Sequence, residues 1–271
     1  MARRAPSESP LRSETATGSA AERAARDPSA QPPQPRVYLA SQSPRRQELL
    51  TQLGWSFELL LPQSLSDLAA LSRQGVLARH QGLVSTTLAP TSTPTPTLSQ
   101  ALEDLERPKA GEGALAYVQR VTRLKFELAR ESALSLGAAY RPAWPILCAD
   151  TTVALGGEIL GKPQSSQEAR AMLKALSGRT HRVYTSVVVG GLREHQQRLS
   201  RSWVSFAPLS ARAIEAYVET QEWRGKAGGY AVQGLAAAYI EEIRGSYSGI
   251  MGLPLFECAA LLEDYCRRHG A

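Results

Sequence analysis

Short apolar runs alternate along this chain with segments whose apolar residues recur every three or four positions. The apolar runs predict strands at 37–40, 146–149, 183–189, 202–206 and 238–243. The helical spacing predicts helices over 44–53, 117–135, 165–177 and 210–218, and from Pro254 onwards. Because strands and helices interleave throughout, the sequence predicts an α/β fold, a mixed twisted sheet flanked by helices.

Capping residues predict the ends of several helices. Ser43 precedes Pro44, an N-cap followed by proline at the first helical position, and Gly54 is a typical stop. Ser165 and Glu168 form the pattern of a capping box. Ser210 is placed to cap the helix that follows it.

Two stretches lack this pattern. Residues 1–35 are rich in Ala, Ser, Pro and Arg, and hold a single leucine, so we predict a disordered tail. The second, near 64–101, contains a Thr/Pro alternation and predicts a surface insertion. The remainder, 36–271, is predicted to be one domain with this insertion.

Composition narrows the class of protein. The chain has 271 residues, 43% of them hydrophobic, but no apolar run reaches the roughly 18 residues that span a bilayer. Three cysteines without a paired motif favour a reducing compartment, and the lack of a secretory signal predicts a cytoplasmic location. The net charge of +6 is spread along the chain, which favours an anionic small ligand over a dedicated nucleic-acid partner.

The first candidate for chemistry is the segment ASQSPRR at 40–46. It leaves a predicted strand and enters a helix N-terminus, where free N–H groups and the helix dipole attract anions. Ser41 and Ser43 offer hydroxyls, and Arg45 and Arg46 offer charged forks for phosphate oxygens. A capped helix with two solvated arginines is the alternative interpretation.

Asp150 is the second candidate, because it follows the predicted strand 146–149. A carboxylate there can bind a divalent cation or accept a proton from water, although an aspartate that begins a turn is the commoner case. Beyond it, Gly156-Gly157 predicts a hairpin, and Lys162 lies in a turn before a proline.

The third candidate is the glycine-rich segment RGKAGGYAVQG at 224–234. Its glycines would let the backbone approach a ligand, and Gln233 could both donate to and accept from a base edge. An ordinary flexible loop is the alternative. His181 is interpreted as a structural histidine at the start of a strand.

In order along the chain, LASQSPRRQELLTQLG, CADTTV, GEILGKP, EARAMLKALSGRTHRVYTSV, KAGGYAVQG and GSYSGIMGLPL resemble the Maf family of nucleoside triphosphate pyrophosphatases. The resemblance implies hydrolysis between the α and β phosphates with a divalent metal, Mg²⁺ or Mn²⁺. It also implies links to removal of non-canonical nucleotides and to arrest of cell division, and it implies homodimers.

The same resemblance implies roles for individual residues. Asp150 corresponds to the proton acceptor and, with Glu106, to a metal ligand. The phosphate-binding positions it implies are Ser41, Arg45, Arg46, Lys125 and Lys162. The predicted insertion interrupts the segment before the family glutamate, so Glu103 and Asp104 are alternatives to Glu106.

The loop AGGYAVQG resembles the dTTP/UTP branch, whose specificity positions correspond to Arg46, Thr151 and Gln233. A glutamine amide can pair with the carbonyl and N–H edge of uracil or thymine. The alternatives are the same chemistry on 7-methyl-GTP or other modified nucleotides, and a nucleotide-binding regulator of cell division with incidental hydrolysis.

Overall fold

The computed structural model describes residues 35–62 and 98–270. The predicted tail, apart from its last residue, and most of the predicted insertion lie outside the described residues. The described strands are β1 (Arg36–Leu39), β2 (Ser56–Leu59), β3 (Ile146–Leu155), β4 (Glu158–Leu160), β5 (Thr180–Gly190), β6 (His195–Phe206) and β7 (Ile240–Arg244). The described α-helices are α1 (Pro44–Gln52), α2 (Leu98–Glu106), α3 (Ala114–Ser135), α4 (Ser166–Leu176), α5 (Ala211–Glu219), α6 (Tyr247–Met251) and α7 (Leu255–His269).

The seven strands form one mixed sheet in the order β2-β1-β3-β5-β6-β7, with β4 paired to the far end of β3. The pairs of β1 with β2 and β3 are parallel, and the other pairs are antiparallel. The predicted α/β class and mixed sheet are therefore confirmed.

The central strand β3 is covered on both faces, which explains why its sequence begins as a continuous apolar run. Leu147 and Ala149 pack in a cluster with residues of α1 and α7, whereas Ile146 and Cys148 pack with residues of α3. Because successive side chains point to opposite faces of a strand, Asp150 falls on the α3 side and Thr151 on the other.

The prediction that this strand ends at Asp150 is wrong. β5 pairs with β3 through Ala154, including the pairs Asp150↔Ser186 and Thr152↔Tyr184, and the last residue, Leu155, pairs with β4. β1 has already ended at Leu39, so Asp150 still lies beyond the carboxyl end of that parallel neighbour.

Several other boundaries differ from the sequence prediction. β6 begins at His195, seven residues before the predicted start at 202, because it pairs with β5 from His195 onwards. Its first half is largely polar and not fully buried, so no apolar run marks it. β7 begins at Ile240, since Leu235–Tyr239 forms a 3₁₀ helix. The short elements β2, α2 and α6 were not predicted.

The predicted caps are confirmed at Ser165 and Ser210, whose hydroxyls accept hydrogen bonds from Glu168 N and Ala213 N. Ser43 occupies the N-cap position of α1, but its side chain makes no capping bond, so that part of the prediction is wrong. Its backbone N–H instead donates to Ser41 Oγ at 3.2 Å.

Candidate active site

The segment that joins β1 to α1 anchors an arginine at the edge of a cleft. Arg46 donates from Nε to the carbonyl oxygen of Gly252 at 2.8 Å and from a terminal nitrogen to Ser41 Oγ at 3.1 Å. Ser41 is buried. Its hydroxyl therefore orients Arg46, and its side chain does not line the cleft.

Arg45 and Arg46 lie side by side in the first turn of α1, where they oppose the helix dipole. Burial lowers the pKa of both guanidinium groups, and the mutual repulsion of the two lowers the pKa of Arg45 further. Asp150 and Glu106 partly offset this effect on the pKa of Arg46. A bound anion would stabilise both arginines.

Lys125 of α3 bridges two carboxylates. Its Nζ lies 2.7 Å from Asp150 Oδ1 and 3.1 Å from Glu106 Oε1. The three side chains are mostly buried, with exposed fractions of 22% for Lys125, 13% for Asp150 and 28% for Glu106. The Lys125 ammonium group therefore compensates the charges of two carboxylates that lie close together and are largely shielded from solvent.

Burial and the two carboxylates together shift the pKa values of Lys125 and Tyr117. Burial alone would lower the pKa of Lys125, but Asp150 and Glu106 outweigh it and the pKa is raised. Lys125 therefore stays protonated. Burial, followed by the repulsion of the same two carboxylates, raises the pKa of Tyr117 to about 12.

Two adjoining cavities meet at Asp150, Thr151 and Lys162. The first is lined by the cationic side chains of Arg45, Arg46, Lys125, Lys162 and Lys226, and its walls include Val153, Val183, Tyr230, Val232, Ile250 and Met251. The second is lined by Glu103, Glu106, Tyr117 and Thr152, among others. One side of Asp150 thus suits polyphosphate, and the other presents Glu103 and Glu106 together with Arg107.

Thr151 is held by a short relay of hydroxyl groups. Its Oγ1 lies 3.0 Å from Thr185 Oγ1, and Thr185 donates in turn to the carbonyl oxygen of Gly249 at 2.6 Å. This relay connects β3 and β5 to α6, the helix that ends at the Arg46-binding carbonyl of Gly252. The segment 246–255 lines the first cavity through Ile250, Met251 and Gly252.

The glycine-rich segment contributes a further wall. Gly228 N donates to the carbonyl oxygen of Gly161 at 2.9 Å, which ties this segment to the turn that carries Lys162. Lys226 lines the first cavity, and burial, together with repulsion from Arg45, lowers its pKa. Gln233 is exposed and does not line either cavity, although its neighbour Val232 does.

His181 lies in the core below this wall. Its Nε2 lies 2.7 Å from the hydroxyl of Tyr230, and burial lowers its pKa to about 4. It contacts the rings of Phe206 and Tyr230 edge-on. This environment is consistent with the structural role expected from the sequence.

The structure thus brings together Arg45, Arg46, Lys125, Asp150, Thr151 and Lys162 around one cleft, with Glu106 at its acidic side. Of the three acidic candidates, Glu106 makes the ion pair with Lys125, Glu103 lines the second cavity, and Asp104 pairs with Arg107.

Three contributions to the site could not be predicted from the sequence. Lys226 lines the first cavity, Tyr117 lines the second, and the carbonyl oxygen of Gly252 accepts a hydrogen bond from Arg46. A lone lysine or tyrosine carries no local signal, and a backbone acceptor carries none in any sequence.

Within residues 35–62 and 98–270, no three His, Cys, Asp or Glu side chains converge closely enough to form a complete metal site. Among the helices in the same ranges, none is both long and apolar enough to cross a bilayer.

The fold and the cleft define an α/β protein whose site combines a cluster of cationic side chains with a carboxylate that is paired with a lysine. Residues 36–265 match the family described as Maf-like protein, and the chain belongs to this family.

Curated relatives are similar over most of their length. The dTTP/UTP pyrophosphatase of Burkholderia lata is 48% identical over 242 residues, 87% of this chain and 97% of the relative. That of a Polaromonas species is 48% identical over 84% of this chain and 94% of the relative. That of Albidiferax ferrireducens is 44% identical over 84% of this chain and 96% of the relative.

Proposed function

We propose that this protein is a nucleoside triphosphate pyrophosphatase that hydrolyses dTTP and UTP to the monophosphate and pyrophosphate. One observation carries the proposal: Asp150, paired with Lys125, lies at the junction of a cavity with five cationic side chains and a cavity with acidic ones. The names of the similar proteins support the choice of substrates.

In the proposed reaction, Asp150 accepts a proton from the water molecule that attacks the α-phosphorus. The water oxygen forms a bond to that phosphorus, the bond to the α–β bridging oxygen breaks, and its electron pair leaves with pyrophosphate. Arg45, Arg46 and Lys162 stabilise the phosphate charge, because all three line the first cavity. Ser41 acts through Arg46, to which it is hydrogen-bonded.

The residues present fit a divalent cation. Asp150 and Glu106 both lie within 3.1 Å of the Lys125 ammonium, so their carboxylates already converge on one positive charge. Mg²⁺ and Mn²⁺ prefer oxygen ligands, and Mg²⁺ is commonly held by one or two carboxylates together with substrate phosphates. When bound, such an ion would polarise the phosphate oxygens.

For base specificity we propose Arg46, Thr151 and Gln233. Arg46 and Thr151 line the first cavity, whose apolar wall offers a surface for a pyrimidine ring. The proposal for Gln233 depends on its place in the family motif alone, because its side chain is exposed outside both cavities.

We propose further that 36–271 form a single catalytic domain, which agrees with the extent of the family match. The homodimer and the cytoplasmic location are predictions that follow from the resemblance and the sequence.

A nucleotide panel tests the substrate class. The purified protein should hydrolyse dTTP and UTP with a kcat/KM at least about 10-fold above that for CTP, 7-methyl-GTP and the purine triphosphates, which corresponds to a modest 1.4 kcal/mol of discrimination. A preference for 7-methyl-GTP would keep the chemistry and contradict the assignment of base. Binding without turnover of any nucleotide would favour the regulatory alternative.

A further inference from the structure

Arg120 of α3 is a buried arginine outside the proposed reaction, with an exposed fraction of 7%. It forms a two-pronged ion pair with Glu112, from Nε to Oε1 at 2.7 Å and from Nη2 to Oε2 at 2.8 Å. Such fork-to-fork geometry is the strongest and most directional form of an ion pair.

The remaining bonds of the guanidinium reach the end of α2. Nη1 donates to the carbonyl oxygen of Leu105 at 3.2 Å, and Nη2 donates to that of Arg107 at 2.9 Å. These two carbonyls flank Glu106, the last residue of the helix. The last carbonyls of a helix lack partners within the helix. Arg120 supplies a donor to one of them, that of Leu105, and to the carbonyl of Arg107 just beyond the helix.

Glu112 fixes the other side of the same loop. Hydrogen bonds from Arg120 outweigh burial and lower the pKa of Glu112, which therefore stays ionised. Its Oε2 also accepts from the backbone N–H of Lys109 at 3.1 Å, and its own N–H donates to the carbonyl oxygen of Lys109 at 3.0 Å. The segment between α2 and α3 is thus held by hydrogen bonds that converge on Arg120 and its partner Glu112.

We propose that Arg120, with Glu112 as its counter-ion, is a positioning residue that holds the end of α2 so that Glu106 faces Lys125 and Asp150. The proposal rests on the proposed function, because it assigns Arg120 a role in that reaction through Glu106. Lysine cannot replace this arginine, since an ammonium group lacks the planar fork that bonds a carboxylate and two carbonyls together.

The test is a double-mutant cycle on Arg120 and Glu106. Arg120→Lys should lower kcat by about 10-fold or more, the usual loss when the group that orients a metal-binding carboxylate is removed. In the Glu106→Gln background, the same substitution should change kcat by less than about 2-fold, because the residue through which it acts is already lost. Arg130→Lys is the matched control: Arg130 lies on the same helix and pairs with Glu127 at 2.9 Å, and its variant should keep kcat.

A second readout does not depend on turnover. Binding of Mn²⁺ alone, followed by the electron paramagnetic resonance signal of the free ion, should weaken in Arg120→Lys and stay unchanged in Arg130→Lys. Hydrogen exchange of the segment 102–112 should become faster in Arg120→Lys while β3 and β5 keep their protection. If Arg120→Lys does not fold, Glu112→Gln gives the same readouts with a smaller change.

Multiplicative losses in the double variant would overturn the proposal, because they would mean that Arg120 acts independently of Glu106. Unchanged exchange and unchanged Mn²⁺ binding in Arg120→Lys would overturn it as well. A wild-type protein that hydrolyses no nucleotide would instead refute the proposed function, and the exchange experiment would still decide whether Arg120 holds the loop.

Discussion

At the scale of single residues, the site is organised by charges that compensate one another. Lys125 is shared by Asp150 and Glu106, and Arg46 is held by a backbone carbonyl and a buried hydroxyl. These four side chains therefore have partners before any substrate enters, which keeps them in place in a partly dehydrated cleft.

His181 gives a prediction about acid stability. Burial lowers its pKa from 6.5 to about 4, so below pH 6.5 the unfolded chain binds a proton that the folded protein does not. This histidine therefore contributes stability that is present above pH 6.5 and is lost as the pH falls towards 4. Between pH 7 and pH 5 the loss amounts to about 2 kcal/mol.

Urea unfolding at several pH values measures this contribution. His181→Gln, which does not titrate, should lose less free energy of unfolding between pH 7 and pH 5 than the wild type, by about 2 kcal/mol. The comparison of slopes removes any constant cost of the substitution. Equal slopes in the two proteins would contradict the assignment of this titration to His181.

The residue identities of the site could largely be predicted from motifs, but their geometry could not. The choice among Glu103, Asp104 and Glu106 depends on how the segment before α3 turns, and the buried Arg120 determines that turn. Gln233 gives a second example. A motif identifies this position as a specificity residue, but its side chain is exposed in the structure, and the motif does not determine where that side chain lies.

At the scale of elements, the glycine-rich segment is positioned by close backbone packing. Gly228 has φ +70°, and a Cβ added there would lie 3.0 Å from a methyl group of Val153. Gly225 has a similar φ of +66° but open space around it. A comparison of substitutions at the two glycines therefore distinguishes the destabilisation caused by backbone strain from that caused by steric crowding.

Alanine substitutions at these two positions should differ in a defined way. Gly225→Ala should cost about 1 kcal/mol of stability from its positive φ alone. Gly228→Ala should cost about 1–3 kcal/mol more, because the added methyl crowds β3. It should also raise the KM for UTP, since Lys226 and Tyr230 on the same segment line the cavity. Thermal unfolding and steady-state kinetics check both effects, and equal destabilisation by the two variants would refute the packing argument.

The apolar runs correctly predicted that these segments form strands, but the observed strands begin or end at other residues. β3 extends past Asp150 because pairing with β5 continues through polar residues, and β6 starts early for the same reason. The extent of pairing depends on the neighbouring strand as well. The apolar pattern of one segment alone therefore cannot show where its hydrogen bonding to that neighbour ends.

At the scale of the whole molecule, the sheet brings together distant parts of the sequence. Five parts of the chain meet around one cleft: the start of α1, the middle of β3, the helix α3, the turn before α4 and the loop before α7. The parallel pairing of β1 with β3 carries the functional consequence, because it places the N-terminus of α1 beside Asp150. Alternation of strands and helices predicts the class of such a fold, whereas the strand order depends on contacts between segments far apart in the chain.

The central claim is that Asp150 activates water for cleavage between the α and β phosphates, and product analysis of Asp150→Asn tests it most directly. Asparagine keeps the shape of the side chain but cannot accept the proton, so kcat should fall by at least about 100-fold. Glu215→Gln, which alters an exposed ion pair with Arg170, is the matched control and should keep kcat.

With UTP as substrate, the wild type should form UMP and pyrophosphate in equal amounts, and Asp150→Asn should form neither at a comparable rate. Formation of UDP and inorganic phosphate, or an Asp150→Asn variant with wild-type kcat, would contradict the account.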